Sequence, residues 1–226
     1  MRTIIFANGQ MDRLPHEIKP LKTDDLIIAA DGGLRFCRLE NIVPHLIVGD
    51  LDSVNKTQLI EMKKLGSQIM QYPVDKDATD LELSLQVALN KGAQEIILLS
   101  ALGARWDMTF SNVLLLASDL LDNVHVRILD QNQEIFCIKG HRKMDLNHRK
   151  GNRLSLLPLS SSVEGITLTG MKYALNNESL HLGTSRGLSN IIIDQNASIQ
   201  IQRGVLLVCL ECHQCCTIHS NGSVRD

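Results

Sequence analysis

Two short acidic stretches hold the residues best suited to chemistry, Gly49-Asp50-Leu51-Asp52-Ser53 and Asp75-Lys76-Asp77-Ala78-Thr79-Asp80. Each follows an apolar, strand-like run and precedes a helical pattern. In an open α/β sheet, ligands bind outside the carboxyl ends of the parallel strands, so carboxylates at such turns sit on rigid elements and still face substrate. The five aspartates of these stretches are hard oxygen ligands. Such a set suits Mg²⁺, which takes one or two carboxylates, keeps several waters and shares the oxygens of a substrate phosphate. The expected chemistry is metal-assisted phosphoryl transfer.

Ordinary structural duties account for part of the pattern. Ser53 and Asp52 fit the start of a helix over Val54 to Leu65 that Gly66 stops, and Thr79 with Glu82 fits a capping box. They explain Asp50 less well, because a second carboxylate two residues earlier adds repulsion without adding a cap. Asp75, Asp77 and Asp80 remain a surplus of negative charge that calls for a cation.

The elements that must position these turns follow from the apolar pattern. Thr3–Ala7, Leu26–Ala30, His45–Gly49, Gln68–Tyr72, Glu95–Leu99 and Val124–Leu129 read as buried strands. Between them lie helical stretches at Leu34–Glu40, at Val54–Leu65, around Leu81, Leu85, Ala88 and Leu89, and after Gly103-Ala104-Arg105-Trp106-Asp107. The last has an expected apolar face of Phe110, Val113, Leu114, Ala117, Leu120 and Leu121. Alternating β and α elements predict an open, mostly parallel sheet with helices on both faces. Asp31-Gly32-Gly33 at a strand end could present amides to an anion. Asp107 could cap its helix, and Arg105 is shaped to clamp phosphate oxygens bidentately.

From about Gln131 helical periodicity ends. Short strand candidates at Arg153–Leu157, Glu164–Leu168, Leu180–Leu182, Asn190–Asp194, Ser198–Gln202 and Val205–Leu210 predict an all-β sandwich. The expected organisation is an α/β catalytic domain over 1–135, a β-sandwich domain over 136–210 and a cysteine-rich tail over 211–226.

A chain of 226 residues with 44% hydrophobic content can bury substantial cores. Its net charge of -2 lacks the basic field that nucleic acid or an anionic membrane surface would require, so small molecules are the expected partners. The short start Met1–Gly9 is not a signal peptide, and no apolar run reaches the length of a membrane span; the expected location is cytoplasmic. Of the six cysteines, Cys37 and Cys137 sit in apolar stretches, where a reducing compartment leaves them as thiols. Cys209-x-x-Cys212-His213-x-Cys215-Cys216, with His219, has ligand types that could hold zinc, and Cys209 to His213 spells a c-type haem attachment pattern. Haem attachment needs export, and zinc ligands normally come as two separated pairs, so a final strand followed by a tail is the reading preferred.

Six motifs in order resemble the thiamine pyrophosphokinase family: Asp31-Gly32-Gly33, Gly49-Asp50-Leu51-Asp52-Ser53, Asp75-Lys76-Asp77-Ala78-Thr79-Asp80, Gly103-Ala104-Arg105-Trp106-Asp107, Gly165-Ile166-Thr167-Leu168-x-Gly170-Met171-Lys172-Tyr173 and Gly187-Leu188-Ser189-Asn190. The resemblance runs from Ala30 to about Leu210. It implies Mg²⁺-dependent transfer of a pyrophosphoryl group from ATP to the hydroxyl of thiamine, giving thiamine pyrophosphate and AMP, in a homodimer with the thiamine site at the interface. It implies Asp50, Asp52 and Asp80 as metal ligands, with Asp77 beside them and Arg105 on the phosphates. Asp31, Gly32 and Gly33 then belong to the phosphate-binding floor, Asp107 to the nucleotide side, and Ser189 and Asn190 to the thiamine site. Three residues depart from the family pattern: Ala104 replaces a second glycine, Met108 a polar residue and Ile191 an acidic one. Two other readings compete. Asp50-Leu51-Asp52-Ser53-Val54 nearly spells the nucleophile motif of haloacid-dehalogenase-like phosphohydrolases, but at least two strand candidates precede it. A non-catalytic thiamine or nucleotide-binding module would gain little from carboxylates facing a phosphate.

Overall fold

The computed structural model describes residues 1–211. The cysteine cluster beyond Cys209 and the tail, with the zinc and haem patterns, lie outside the described residues. Elements follow the order β1 (Arg2–Phe6), β2 (Leu26–Ala30), α1 (Leu34–Leu39), β3 (Leu46–Gly49), α2 (Lys56–Lys64), β4 (Gln68–Gln71), α3 (Asp80–Asn90), β5 (Glu95–Leu99), α4 (Trp106–Leu115) and β6 (His125–Asp130). An antiparallel series completes the chain: β7 (Gln133–Lys139), β8 (Arg142–Asp145), β9 (Arg153–Pro158), β10 (Ser162–Thr169), β11 (Glu178–His181), β12 (Asn190–Ile191), β13 (Ser198–Ile201) and β14 (Val205–Glu211).

Six parallel strands stand in the order β6-β5-β1-β2-β3-β4. The four inner strands β5, β1, β2 and β3 are near-continuous apolar runs because both their faces are covered, whereas the outer β4 and β6 carry polar residues. Ile5, Ile28, Val48, Ile96 and Leu98 face one way, into a core with Leu81, Leu85, Val87 and Ala88 of α3. Ile4, Phe6, Ile27, Ile47, Ile97 and Leu99 face the other, onto Leu34, Phe36 and Cys37 of α1 and Met62 of α2. The chain winds outward from β1 to β4, and α3 then carries it back to β5 on the other side of β1. The crevice between the carboxyl ends of β1 and β5 is therefore the topological switch point, where open α/β sheets bind ligands.

β6 turns tightly into β7, which pairs antiparallel with it from Arg127↔Phe136 to Asp130↔Gln133. β14, β9 and β12 continue the same sheet to ten strands. A second sheet, β11-β10-β13-β8, packs against that antiparallel half over a separate core that includes Ile138, Leu154, Val163, Ile166, Ile199 and Val208. This is the mixed α/β sheet followed by an antiparallel β layer that the alternation predicts. The expected division at 135/136 falls within β7.

Several local expectations are corrected. The helix expected from Ser53 begins only at Lys56, capped by Asn55, whose Oδ1 accepts from the Thr57 amide at 2.8 Å. Asp52 and Ser53 are thereby freed from helix-start duty. Thr79 does cap α3, its hydroxyl accepting from the Glu82 amide. α4 ends at Leu115, and Leu120 and Leu121 lie in a separate 3₁₀ turn at Asp119–Leu121. Its expected apolar face is partly turned to solvent: Phe110 and Leu114 are 61% and 42% exposed, in line with Trp106 one helical turn earlier at 82%. Strands β7 and β8 were not anticipated, and the strand expected over Asn190–Asp194 shrinks to two residues.

Arg2 at the start of β1 grips Asp25 before β2 with two hydrogen bonds, Nε to Oδ1 at 2.7 Å and Nη2 to Oδ2 at 2.5 Å, and the Asp25 side chain is fully buried. Burial works to raise the Asp25 carboxyl, but the Arg2 hydrogen bonds and charge and the Lys22 amide outweigh it and hold it below the usual range. A depressed carboxyl contributes stability that is fully present above its unfolded pKa of about 3.9 and is lost as pH falls through the lower folded value. Arg2→Met leaves the carboxylate buried and unpaired. It is expected to cost about 3–5 kcal/mol at pH 7. Urea unfolding at pH 7 and near pH 3.5 checks this: the difference from wild type should shrink at the lower pH, where the orphaned carboxyl takes up a proton.

Candidate functional site

The carboxyl ends of β1, β2, β3 and β5 surround a cleft of about 470 Å³, completed by the first turns of α3 and α4. Its ledge is built by close backbone approach. The Gly9 amide donates to Ser100 O and the Gln10 amide to Leu102 O, both at 2.6 Å, and a Cβ on Gly9 would stand 2.3 Å from Leu102 O. Glycine is the residue that fits there. Asp31, Leu51 and Ser100, each just past a strand end, have φ of 44°, 66° and 48°. Non-glycine residues in the left-handed region cost about 1–3 kcal/mol each and persist only where surrounding structure enforces them. Three at one sheet edge mark a place where side-chain direction has been set at the expense of backbone comfort.

Those turns bring carboxylates together. One oxygen each from Asp31, Asp50 and Asp52 lies within 4.8 Å of the others. Asp80, at the first turn of α3, faces the same floor: a Cβ on Gly49 would come within 3.0 Å of Asp31 Cβ and 3.1 Å of Asp80 Oδ1. At an effective dielectric of about 20, two ionised carboxylates 5 Å apart repel by about 3 kcal/mol. Burial pushes the Asp31 carboxyl up, against the Gly32 amide and Ser53 hydroxyl, and the neighbouring Asp80 and Asp50 charges add to the rise. Asp50 goes the other way, held below the usual range chiefly by the Lys76 ammonium at 2.7 Å. Among the described residues the buried Asp31 Oδ1 has no hydrogen-bond donor, and Asp80 Oδ1 has the Lys76 ammonium 3.1 Å away without an aligned hydrogen bond. Crowded carboxylates, a buried oxygen without a donor and a floor that a single methyl would fill together fit a small divalent cation with oxygen preference.

The remaining residues of interest divide. Arg105 lines the cleft at the start of α4, and its Nη2 donates to Asp107 Oδ2 at 2.6 Å. Both side chains are well exposed, and Asp107 does not cap the helix. Met108 and Ala104 also line the cleft. Asp75 and Asp77 are exposed and outside its lining. Gly32 and Gly33 are buried against β1, where added Cβ atoms would meet Asn8 Oδ1 at 2.4 Å and Phe6 O at 2.0 Å, so close packing rather than an open anion cradle accounts for both. Asn190 is buried: its Oδ1 accepts from the Tyr173 and Ile191 amides and its Nδ2 donates to Tyr173 O, which locks the 171–173 turn to β12. Ser189, with φ of 57°, is exposed beside it. Neither lines the cleft, whose lining residues all precede residue 113.

Sequence reasoning passed over two contributors. Lys76 was read only as part of an acidic motif, although a lone lysine among three aspartates is itself a signal. Asn112, buried in α4, donates through Nδ2 to Ala101 O and fixes the loop after β5.

The model of the thiamin pyrophosphokinase catalytic domain matches residues 4–128, and that of the family's vitamin B1 binding domain matches residues 141–206. The chain belongs to the thiamin pyrophosphokinase family. The first model spans the parallel sheet and the whole cleft, and the second lies within the antiparallel half. Thiamine pyrophosphokinase of Bacillus subtilis is 29% identical over 210 residues, covering 92% of this chain and 98% of its own length. Thiamin pyrophosphokinase 1 of Caenorhabditis elegans is 26% identical over 198 residues, with 82% and 79% covered. A crystal structure of thiamine pyrophosphokinase from Bacillus subtilis superposes with a TM-score of 0.83 at 26% identity, over 94% of this chain and all of that one. The pyrophosphokinase frame thus places its catalytic-domain match where the carboxylates converge.

Gly49→Ala tests the floor. The added methyl meets Asp31 and Asp80 at a φ of 151° that side chains rarely adopt. It is expected to lower stability by at least about 1 kcal/mol in urea unfolding. Mn²⁺ binding followed by calorimetry should weaken more than tenfold.

Proposed function

We propose that this chain is a thiamine pyrophosphokinase, transferring the β,γ-pyrophosphoryl group of ATP to the primary hydroxyl of thiamine and releasing AMP. The observation that carries the reading is the convergence of Asp31, Asp50 and Asp52, with Asp80 opposite, at the carboxyl ends of β2 and β3, in the cleft that also spans the switch point and lies inside the catalytic-domain match. Mg²⁺, when bound there, would neutralise phosphate charge as the alcohol oxygen bonds to the β-phosphorus and the bond to AMP breaks. Asp50 and Asp52, and Asp80 across the floor, would hold it, and the geometry adds Asp31 to that set. The chain's own part is positioning and electrostatics. The amino-terminal turns of α3 and α4 border the cleft, where the positive ends of the helix dipoles favour negative charge. Arg105, once turned from Asp107, supplies a planar fork for phosphate oxygens. Asp77, outside the lining, keeps at most a long-range electrostatic role. Met108 gives the nucleotide side an apolar contact in place of a polar one.

The thiamine end is assigned to the β half through the 141–206 match, with Ser189 on the exposed turn and Asn190 holding that turn in shape. We propose a homodimer in which this turn of one subunit faces the cleft of the other. Support comes from a cleft lined only by residues before 113 and from the exposed stripe Trp106, Phe110 and Leu114 on the helix that borders it. A second copy would complete the one and cover the other. A two-domain division near the β6–β7 turn and a cytoplasmic location, where ATP is available, belong to the same proposal. Among the described residues no helix is long and apolar enough to cross a membrane. The haloacid-dehalogenase-like alternative is not favoured: Asp50 follows the third strand, and its carboxylate is engaged by Lys76.

Incubation with ATP, Mg²⁺ and thiamine should yield AMP and thiamine pyrophosphate in equal amounts by chromatography; ADP in place of AMP would overturn the pyrophosphoryl assignment. Asp52→Asn is expected to lower turnover by at least about a hundredfold with the fold intact, since it removes one hard ligand from a site that must offset phosphate charge. Turnover within a few-fold of wild type at saturating Mg²⁺ would remove Asp52 from the site. Phe110→Glu places a charge at the centre of the α4 stripe and should shift the chain from dimer to monomer in analytical ultracentrifugation.

A further inference from the structure

The two carboxylates that face each other across the cleft floor are joined by one ammonium. Lys76 Nζ stands 2.7 Å from Asp50 Oδ2 and 3.1 Å from Asp80 Oδ1. The first contact is an aligned hydrogen bond and the second an ion pair, since Asp80 Oδ1 has no aligned donor. All three side chains are mostly withdrawn from water, at 14%, 13% and 24% exposure. Lys76 precedes α3, so its contact with Asp80 is not the usual pairing along a helix face. The turn from Pro73 to Thr79 instead delivers the ammonium to Asp50, just past the end of β3. Among the described residues it is the side-chain cation ion-paired with this cluster: Arg105 pairs with Asp107, and Arg35 donates to the carbonyls of Asn8 and Gly9.

An ammonium and a divalent cation compete for the same oxygens. Lys76 engages Asp50 Oδ2, on a residue of the Asp31–Asp50–Asp52 cluster, and Asp80 Oδ1, the oxygen that faces Gly49 across the floor; without either cation these carboxylates would be crowded like charges. We propose that Lys76 is a built-in counter-cation: it holds Asp50 and Asp80 in their binding positions while the divalent site is empty, and yields their oxygens when the ion enters. This rests on the reading of the acidic cluster as a divalent-cation site. Lys76 is thus a positioning residue. It keeps the site assembled without substrate, and it makes ion entry an exchange of cations rather than the filling of an unbalanced negative pocket. The ion's affinity for the free protein is lowered in proportion.

The test compares wild type, Lys76→Met and Lys76→Arg without nucleotide, by thermal unfolding in EDTA and in saturating Mn²⁺ and by Mn²⁺ calorimetry. Lys76→Met should melt several degrees lower than wild type in EDTA, recover most of that difference in Mn²⁺, and bind Mn²⁺ about tenfold more tightly, a change of about 1.4 kcal/mol. Lys76→Arg should keep the wild-type melting point in EDTA. A second measurement follows displacement directly: acetylation of Lys76 by an amine-acylating reagent, read by mass spectrometry, should speed up when Mn²⁺ is added to wild type. If Lys76→Met matches wild type in EDTA and in Mn²⁺ affinity, Lys76 is an ordinary ion pair and the proposal is overturned. Weaker Mn²⁺ binding by a folded Lys76→Met overturns it too, because the lysine then supports the ion rather than yielding to it. If wild type itself binds no Mn²⁺, the divalent-site reading fails and the exchange with it.

Discussion

Like charges forced together at the edge of a sheet are the constraint on which this molecule turns. Asp31 and Asp50 stand at the ends of adjacent strands, Asp52 two residues further on and Asp80 across the floor, and none of the four would choose the others as neighbours in water. What keeps them there is the rest of the fold. Parallel strands buried on both faces fix the strand ends. Left-handed turns at Asp31 and Leu51 set the side-chain directions. Gly49 leaves the space between them open. The stability lost to repulsion and backbone strain is offset by large apolar cores on both faces of the parallel sheet.

Much of this was legible in the sequence because apolar runs, turn residues and acidic motifs agreed with one another. The six parallel strands were placed nearly to the residue, the four inner ones because a strand covered on both faces reads as an apolar run and the outer β4 and β6 from shorter apolar stretches. The antiparallel half was harder to read. β7 escaped notice because its apolar run, Ile135 to Ile138, is short and flanked by Glu134 and Lys139, and only the fold shows that the buried Glu134 carboxylate meets Arg127 and Arg149. The helix after Asp52 was started two residues early because Ser53 is as good a cap by type as Asn55, and local preference cannot choose between two caps so close together. α4 was expected to bury an apolar face that the single chain leaves in solvent. Periodicity reports that a face is apolar and is silent about which surface will cover it.

At the site, the motifs named the right turns but not every role. Asp31 was grouped with its glycines as an anion cradle, whereas those glycines serve the packing of β1 and the aspartate alone reaches the cleft. Asn190 was expected to meet a ligand, and its amide is fully used within the chain to hold a turn. Both cases have one physical origin. A short polar motif after a strand fulfils local backbone demands first, and what remains for a ligand can be judged only when every donor and acceptor has been traced.

The tight turn between β6 and β7 makes the parallel and antiparallel halves a single ten-stranded surface. Their mutual angle cannot open on a flexible linker; it would have to shear a ladder of paired strands that Arg127 further staples by binding Glu95 on β5 and Glu134 on β7. Movements that admit and enclose a substrate therefore fall to the loops at the strand ends, and the large framework acts as a fixed anvil against which those short segments close.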